Sequence, residues 1–344
     1  MNANGEMNRN MDQFEADLKN GLAQPVTRVP PPELVERMAE EEARPPEDFA
    51  LPAVDCPSQS VDPGLDETPS RSVEPSEPPA RIRWRGFAAS VPGNGHIRHE
   101  LPCQDASSTI LEPRPAVIVC DGRGSASKGL SQEGSKAAVR AFRAQLNVLE
   151  PCLAAYLDRP GLEPSQWRDL CRVLYRTLAQ AKLDCAERFG LPENEFDFTA
   201  AFAVVGRLWT GCFQVGDGAL VIRRKGACET VFKPQKGEFA NLTTFVRWGG
   251  DGKDAFSSAV FPSAEIDGVA ATSDGPEHRL FHLAGMTPGP RFDAFFDELK
   301  DGSFTREDLL DYLTAARRWS SDPRDSDDRS VALLAGVVEK EPRD

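Results

Sequence analysis

Apolar and polar positions change rhythm several times along the 344 residues. From Arg81 to Ser90 the two alternate enough for a strand, and the turn cluster Pro92-Gly93-Asn94-Gly95-His96 follows. Ala116 to Cys120 is an unbroken apolar run, the mark of a buried strand. The period then lengthens. Ala137, Ala138, Phe142, Leu146 and Leu149 fit a helix from Gln132 that ends at Pro151, and Leu170, Val173, Leu174, Leu178, Ala181 and Cys185 fit a second, capped by Ser165 and closed by Gly190. Two long helices of this kind cover one face of a sheet.

Strand patterns return at residues 198–206, 209–215, 219–224 and 230–232. Their short connections, Arg207-Leu208, Gly216-Asp217-Gly218 and Lys225-Gly226, predict an antiparallel meander. Val269 to Ser273 is a further buried strand. Residues 277–285, 292–299 and 306–319 read as helices, the last capped by Thr305 and Asp308, and residues 330–338 as a closing strand.

Charge separates the chain into two parts. Residues 1–80 hold 13 of the 28 prolines and 17 acidic against 6 basic residues, a net of −11, whereas the other 264 residues carry 37 against 34. The first part is too polar and charged to offset the entropy of ordering, and reads as a disordered acidic tail; residues 81–340 read as the folded domain. The absence of a basic face argues against nucleic acid. No signal-like start and no apolar run of membrane length are present, so the expectation is a cytoplasmic protein. The eight cysteines show no CxxC spacing and read as buried thiols rather than zinc ligands or disulfides.

The candidate chemistry lies where apolar runs stop. Asp121-Gly122-Arg123-Gly124-Ser125 ends one strand and Asp274-Gly275 another, while Gln104-Asp105 and Asp327-Asp328 stand beside two more. Glycine without a Cβ lets the backbone approach an ion closely, and oxygen-only donors suit hard cations. Four acidic points spread over more than two hundred residues suggest one cluster assembled by the fold. Asp217, between two glycines, reads as a turn residue. His278 and His282 have the spacing of a helical metal pair, but without a third ligand nearby they read as ordinary surface and core residues, and the Cys120 thiol reads as packed.

In this order, Gln104-Asp105, Asp121-Gly122-Arg123-Gly124-Ser125, Gly216-Asp217-Gly218, Gly237-Glu238-Phe239-Ala240-Asn241-Leu242-Thr243-Thr244-Phe245, Ser273-Asp274-Gly275 and Asp327-Asp328-Arg329-Ser330 resemble the metal-dependent PP2C (PPM) Ser/Thr phosphatases, and most of all a bacterial branch. The resemblance spans about residues 84–338. It implies an α+β fold, an αββα sandwich of two antiparallel sheets between helical layers, with two Mn²⁺ or Mg²⁺ ions at one end. Asp121 would bridge the ions, the Gly122 carbonyl would hold one, and Asp274 and Asp327 would complete the second site. Asp105 would bind a metal or its water from the other side. Asp328 stands where the family has Asn, and the two aspartates can trade roles. Attack by an activated water needs no protein nucleophile, so none is assigned to Ser125 or any cysteine.

Two positions depart from the better-known family pattern. Gln104 replaces a Glu and Arg123 a His. A guanidinium stays charged and cannot protonate a leaving alkoxide, which leaves His96, His99 or a water for that step. Arg123 and Arg98 are instead candidates to hold the phosphate by bidentate hydrogen bonds. The resemblance implies a phosphoprotein phosphatase in signalling, its partner a Ser/Thr kinase or a kinase target. The alternative is an inactive relative that scaffolds a phosphoprotein or a kinase.

Overall fold

The computed structural model describes residues 82–124, 130–232, 244–248, 255–319 and 322–338. The acidic tail, Ser125, residues 237–243 of the middle motif and the glycine-rich stretch at 249–252 lie outside the described residues. In chain order the first elements are β1 (Ile82–Val91), α1 (Asn94–Arg98), β2 (Ala106–Ile110), β3 (Ala116–Cys120), α2 (Ser131–Leu157) and α3 (Pro164–Phe189). Six strands follow: β4 (Ala200–Val205), β5 (Trp209–Val215), β6 (Ala219–Arg224), β7 (Ala227–Thr230), β8 (Ser257–Pro262) and β9 (Ile266–Thr272). The last are α4 (Glu277–Leu280), β10 (Phe281–His282), β11 (Thr287–Pro288), α5 (Arg291–Asp301), α6 (Arg306–Thr314), α7 (Ala316–Trp319) and β12 (Arg329–Val338).

Among the described residues two five-stranded antiparallel sheets form, ordered β1-β12-β9-β6-β7 and β2-β3-β4-β5-β8. Side chains alternate across each strand, and this decides where each residue goes. Val117, Val119, Ala201, Ala203, Leu220, Ile222, Val269, Ala271, Ala332 and Leu334 fill the space between the sheets. The intervening Val221, Ala270, Val331, Leu333 and Ala335 turn outward onto Phe292, Phe295 and Phe296 of α5 and onto Trp319. On the opposite face, Phe142 of α2 lies 4.7 Å from Phe202, which stacks on Phe213 at 4.3 Å, and Trp167 Nε1 of α3 donates to the Cys212 carbonyl at 2.9 Å. Both faces of the central strands are covered, so they read as apolar runs. The αββα sandwich expected from the sequence is the observed architecture.

Several boundaries differ, each for a tertiary reason. The helix α2 continues through Pro151 because Cys152, Leu153 and Leu157 are buried, and because Arg114 clamps Glu150 at 2.8 Å and Asp158 at 2.8 Å on either side of that last stretch. The α3 helix starts at Pro164 rather than at a Ser165 cap; Glu163 takes the cap position and its N–H donates to Gln166 Oε1 at 2.9 Å. The helix predicted at 277–285 stops at Leu280, where Phe281–His282 pair with Thr287–Pro288. The helix predicted over 306–319 breaks at Ala315, and Trp319 Nε1 folds back to the Tyr312 carbonyl at 2.7 Å.

The expected meander is interrupted at its centre. β5 pairs with β4 and β8, whereas β6 pairs with β7 and β9, so Gly216-Asp217-Gly218 carries the chain from one sheet to the other. Cys120, Cys171, Cys185 and Cys212 are buried free thiols as expected; Cys152 is disulfide-bonded, contrary to that expectation. No helix among the described residues is long and apolar enough to cross a membrane.

Candidate metal centre

Strand register brings the aspartates together. Ala106 pairs with Cys120 in the β2–β3 ladder, so Asp105 and Asp121 lie one residue beyond that pair, on adjacent chains of one sheet. In the other sheet Val331 pairs with Thr272 and Ser273 N donates to Ser330 O at 3.1 Å, which sets Asp274 beside the start of β12 and its preceding Asp327-Asp328. Asp217, in the turn that changes sheets, faces the same end.

Two glycines make this approach possible. A Cβ on Gly122 would meet the Gln104 carbonyl oxygen at 2.4 Å, and one on Gly275 would meet the Asp328 carbonyl oxygen at 1.8 Å. Each lets the segment carrying one aspartate lie against the segment carrying another.

Asp327 and Asp328 separate into different roles. Asp328 is 2% exposed; its Oδ1 accepts the Gly93 N–H at 2.7 Å and its Oδ2 the Gln104 N–H at 2.6 Å. His96 Nδ1 also lies 2.7 Å from Oδ1. Asp327 is exposed, and its Oδ1 accepts the Asp328 N–H at 2.9 Å. The buried member ties loops together and the exposed one borders open space.

The electrostatics are those of uncompensated negative charge. Burial, then the charge of Asp328, pushes the Asp105 carboxyl well above the usual carboxylate range, against hydrogen bonds from Ser273 and Ser330. Asp121 is raised likewise, by burial and then by Asp105, Asp274, Asp327 and Asp217. Asp274 is pushed up to about 7 by burial and by Asp327 and Asp217, despite a hydrogen bond with Asp121; Glu277 adds a smaller push. Asp105 Oδ2 and Asp274 Oδ1 are buried without a hydrogen-bond partner.

These features fit a hard divalent cation. Among the described residues no three His, Cys, Asp or Glu side chains close around a point tightly enough to hold an ion by themselves. A Mg²⁺-like ion does not require that, since it keeps several waters and takes one or two carboxylates, and the Gly122 carbonyl adds a donor of another kind. Crowded carboxylates with orphaned oxygens are what such an ion would neutralise.

The arginines fall in different settings. Arg98 is exposed on α1, donates through Nε to the Asn94 carbonyl at 3.1 Å, and makes no ion pair among the described residues. Arg123 is held by Asp197: its backbone N–H donates to the Asp197 carbonyl at 2.9 Å and its NH1 reaches Asp197 Oδ2 at 3.3 Å. His99 is exposed. His278 lies 2.8 Å from buried Asp325 and edge-on to Trp319, apart from exposed His282, which matches their reading as ordinary surface and core residues.

Four residues were passed over or set low in the sequence. Asp217 reads as a turn residue yet contributes to the charge felt by Asp121 and Asp274. Glu277, 7% exposed, borders Asp274. Asp197 and Lys182 stand behind Arg123, with Lys182 Nζ 3.0 Å from Asp197 Oδ1. The signal for Lys182 is present in the sequence, because it occupies a core position in the helical period of Leu178 and Cys185 where a charge is out of place.

Residues 92–314 match the family model for protein phosphatase 2C. The chain is 28% identical over 265 residues to serine/threonine-protein phosphatase 3 of Escherichia coli (strain K12), across 73% of this chain and 98% of that protein. Solved structures to which it is similar include a bacterial serine phosphatase (15% identity, TM-score 0.49, covering 76% of this chain and 100% of that one). Another is Stp1 from Staphylococcus aureus (14%, 0.47, 78% and 99%). A third is the catalytic domain of the phosphatase PstP in complex with two manganese ions (14%, 0.46, 75% and 100%).

Proposed function

The chain belongs to the protein phosphatase 2C family, and from that membership we propose that it hydrolyses phosphoserine and phosphothreonine in a phosphoprotein at a centre of two Mn²⁺ or Mg²⁺ ions. The observation that carries this reading is the convergence of Asp105, Asp121, Asp274 and Asp327 from two sheets, with Asp105 Oδ2 and Asp274 Oδ1 buried and unpartnered. Asp121, the Gly122 carbonyl, Asp274 and Asp327 are the proposed ligands, and Asp105 a ligand to metal or water. Asp328, with both oxygens engaged, is proposed as the anchor that spaces them. When bound, the ions supply charge neutralisation for the phosphoryl oxygens and a water nucleophile at neutral pH.

The rest falls to the protein's own side chains. Arg98, exposed on α1, is proposed to bind the phosphoryl oxygens through its guanidinium. Arg123 is proposed to do the same from the segment that follows β3. Of the two histidines near α1, His96 is turned to the cluster through Asp328 while His99 is exposed, so His96 is the proposed donor to the leaving alkoxide.

A Ser/Thr kinase or its target is the natural partner of such an activity, and a cytoplasmic, bacterial signalling role is proposed for it. Residues 1–80 are proposed as an acidic tail apart from the phosphatase domain at 81–340. The deciding assay is phosphate release from a phosphothreonine peptide with Mn²⁺, Mg²⁺ or chelator, for the native chain and Asp121→Asn. Metal-dependent turnover lost in the variant supports the reading. A folded, metal-binding protein without turnover would turn it toward the scaffold alternative.

A further inference from the structure

Behind Arg123 the chain forms a buried charge cluster that neither the family motifs nor the metal centre uses. The stretch after β3 continues its pairing past the strand end: Thr199 N donates to Asp121 O at 2.8 Å, Gly122 bridges Phe198, and Arg123 N donates to Asp197 O at 2.9 Å. On the far side Val246 N donates to Phe198 O at 3.1 Å, so three segments lie side by side. Lys182 of α3, 1% exposed, reaches this layer from below. Its Nζ contacts Asp197 Oδ1 at 3.0 Å and Glu193 Oε1 at 2.8 Å and donates to the Val246 carbonyl. Arg123 NH1 contacts the other Asp197 oxygen at 3.3 Å, and its guanidinium stands 5.9 Å from the centre of the Phe245 ring.

We propose that Lys182 and Asp197 are positioning residues for Arg123, which they aim at a phosphoryl group; this rests on the phosphatase reading. Asp197, 3% exposed, has a cation on each oxygen. A buried carboxylate stripped of its only cation is strongly destabilised, so an Arg123–Asp197 pair standing alone would not open. Lys182 removes that constraint, because Asp197 stays paired when Arg123 leaves.

The test uses the full chain with saturating Mn²⁺, and measures inorganic phosphate affinity by calorimetry beside kcat and KM on a phosphothreonine peptide. Arg123→Ala, Asp197→Asn and Lys182→Met are each expected to weaken phosphate binding and raise KM by about tenfold, with kcat changed by less than about threefold. Lys182→Arg restores most of the loss. The double variant Arg123→Ala/Asp197→Asn binds phosphate no more weakly than Arg123→Ala alone, since Asp197 acts through Arg123. Mn²⁺ affinity is unchanged in Asp197→Asn, and circular dichroism confirms that each variant is folded.

Additive losses in the double variant, or native phosphate affinity in folded Asp197→Asn, overturn the proposal. So does a fall in Mn²⁺ affinity that matches the fall in phosphate affinity, because the cluster would then serve the Gly122 carbonyl. Phosphate binding that depends on Arg123 and Asp197 without peptide turnover supports the positioning role while refuting the catalytic reading. Turnover with Asp197→Asn indistinguishable from native does the reverse.

Discussion

Asp328 Oδ2 accepts the backbone N–H of Gln104 at 2.6 Å, joining segments 224 residues apart in sequence. Asp105 follows the donor and Asp327 precedes the acceptor. The distance between two proposed ligands is thereby set by a bond in which neither takes part.

Asp328→Ala leaves the Gly93 and Gln104 N–H groups buried without acceptors. At about 1–3 kcal/mol for each, the expected loss of stability is about 3 kcal/mol, or on the order of 10 °C in Tm for a domain of this size. Asp327→Asn, at an exposed position, is expected to shift stability by less than about 1 kcal/mol and to weaken Mn²⁺ binding instead. Urea denaturation beside metal titration separates the two; equal stability losses would refute the division of roles.

Stability of the chelated protein is expected to fall as pH rises. Burial and neighbouring carboxylates raise Asp105, Asp121 and Asp274 above the usual 3.8 in the folded state, Asp274 to about 7. Folded protein therefore binds more protons than unfolded across this window. The contribution is full below pH 3.8 and is lost as pH climbs through the folded values. Asp158 and Asp267 run the other way: burial raises them, but Arg114 and the Lys300 and Arg223 pair hold them below 3.8, so their contribution is constant across the same window. Melting in EDTA between pH 5.5 and 8 tests this. Asp274→Asn should flatten the slope, and a midpoint that rises toward pH 8 would contradict it.

Bound metal should reverse that slope. An ion at a hundred times its Kd contributes about 2.7 kcal/mol, and it favours the ionised carboxylates that are destabilising without it. Thermal midpoints are expected to rise with Mn²⁺ in the native chain and hardly at all in Asp121→Asn or Asp274→Asn, both of which should melt higher than native protein in chelator. A native-sized Mn²⁺ shift in Asp121→Asn would remove that residue from the ligand set.

Gly275→Ala tests the close approach at the mouth of the centre. The added methyl would stand 1.8 Å from the Asp328 carbonyl oxygen, which is backbone and cannot swing aside. The expected cost is about 3 kcal/mol, with Mn²⁺ affinity lost as the Asp327-Asp328 segment is displaced. Gly226→Ala, where nothing lies within 4 Å, is the control for chain strain alone, its φ being +81°.

Much of this was legible along the chain because it is local. Apolar runs such as Ala116–Cys120 need only neighbouring residues to declare a buried strand, and the Thr305-to-Asp308 cap forms within four residues, as its 2.9 and 3.2 Å bonds show. The aspartates at strand ends could be read for the same reason: Asp-Gly after an apolar run marks a turn whatever the strand pairs with.

What the linear pattern could not carry was pairing between distant segments. Gly216-Asp217-Gly218 has the spacing of a hairpin, and only the partners β8 and β9, chosen by burial of both sheets, turn it into a crossing that puts Asp217 at the acidic end. Asp327 and Asp328 are the same residue type in adjacent positions, and the Gly93 and Gln104 N–H groups tell them apart. Lys182 and Asp197 became partners of Arg123 because a helix packs over a sheet, which brings residues 15 and 74 positions apart into one buried ion cluster. Sequence by itself determined which residues had to end strands and carry charge; the tertiary structure decided which of those charges face one another, since register and layer packing are settled by contacts far apart in the chain.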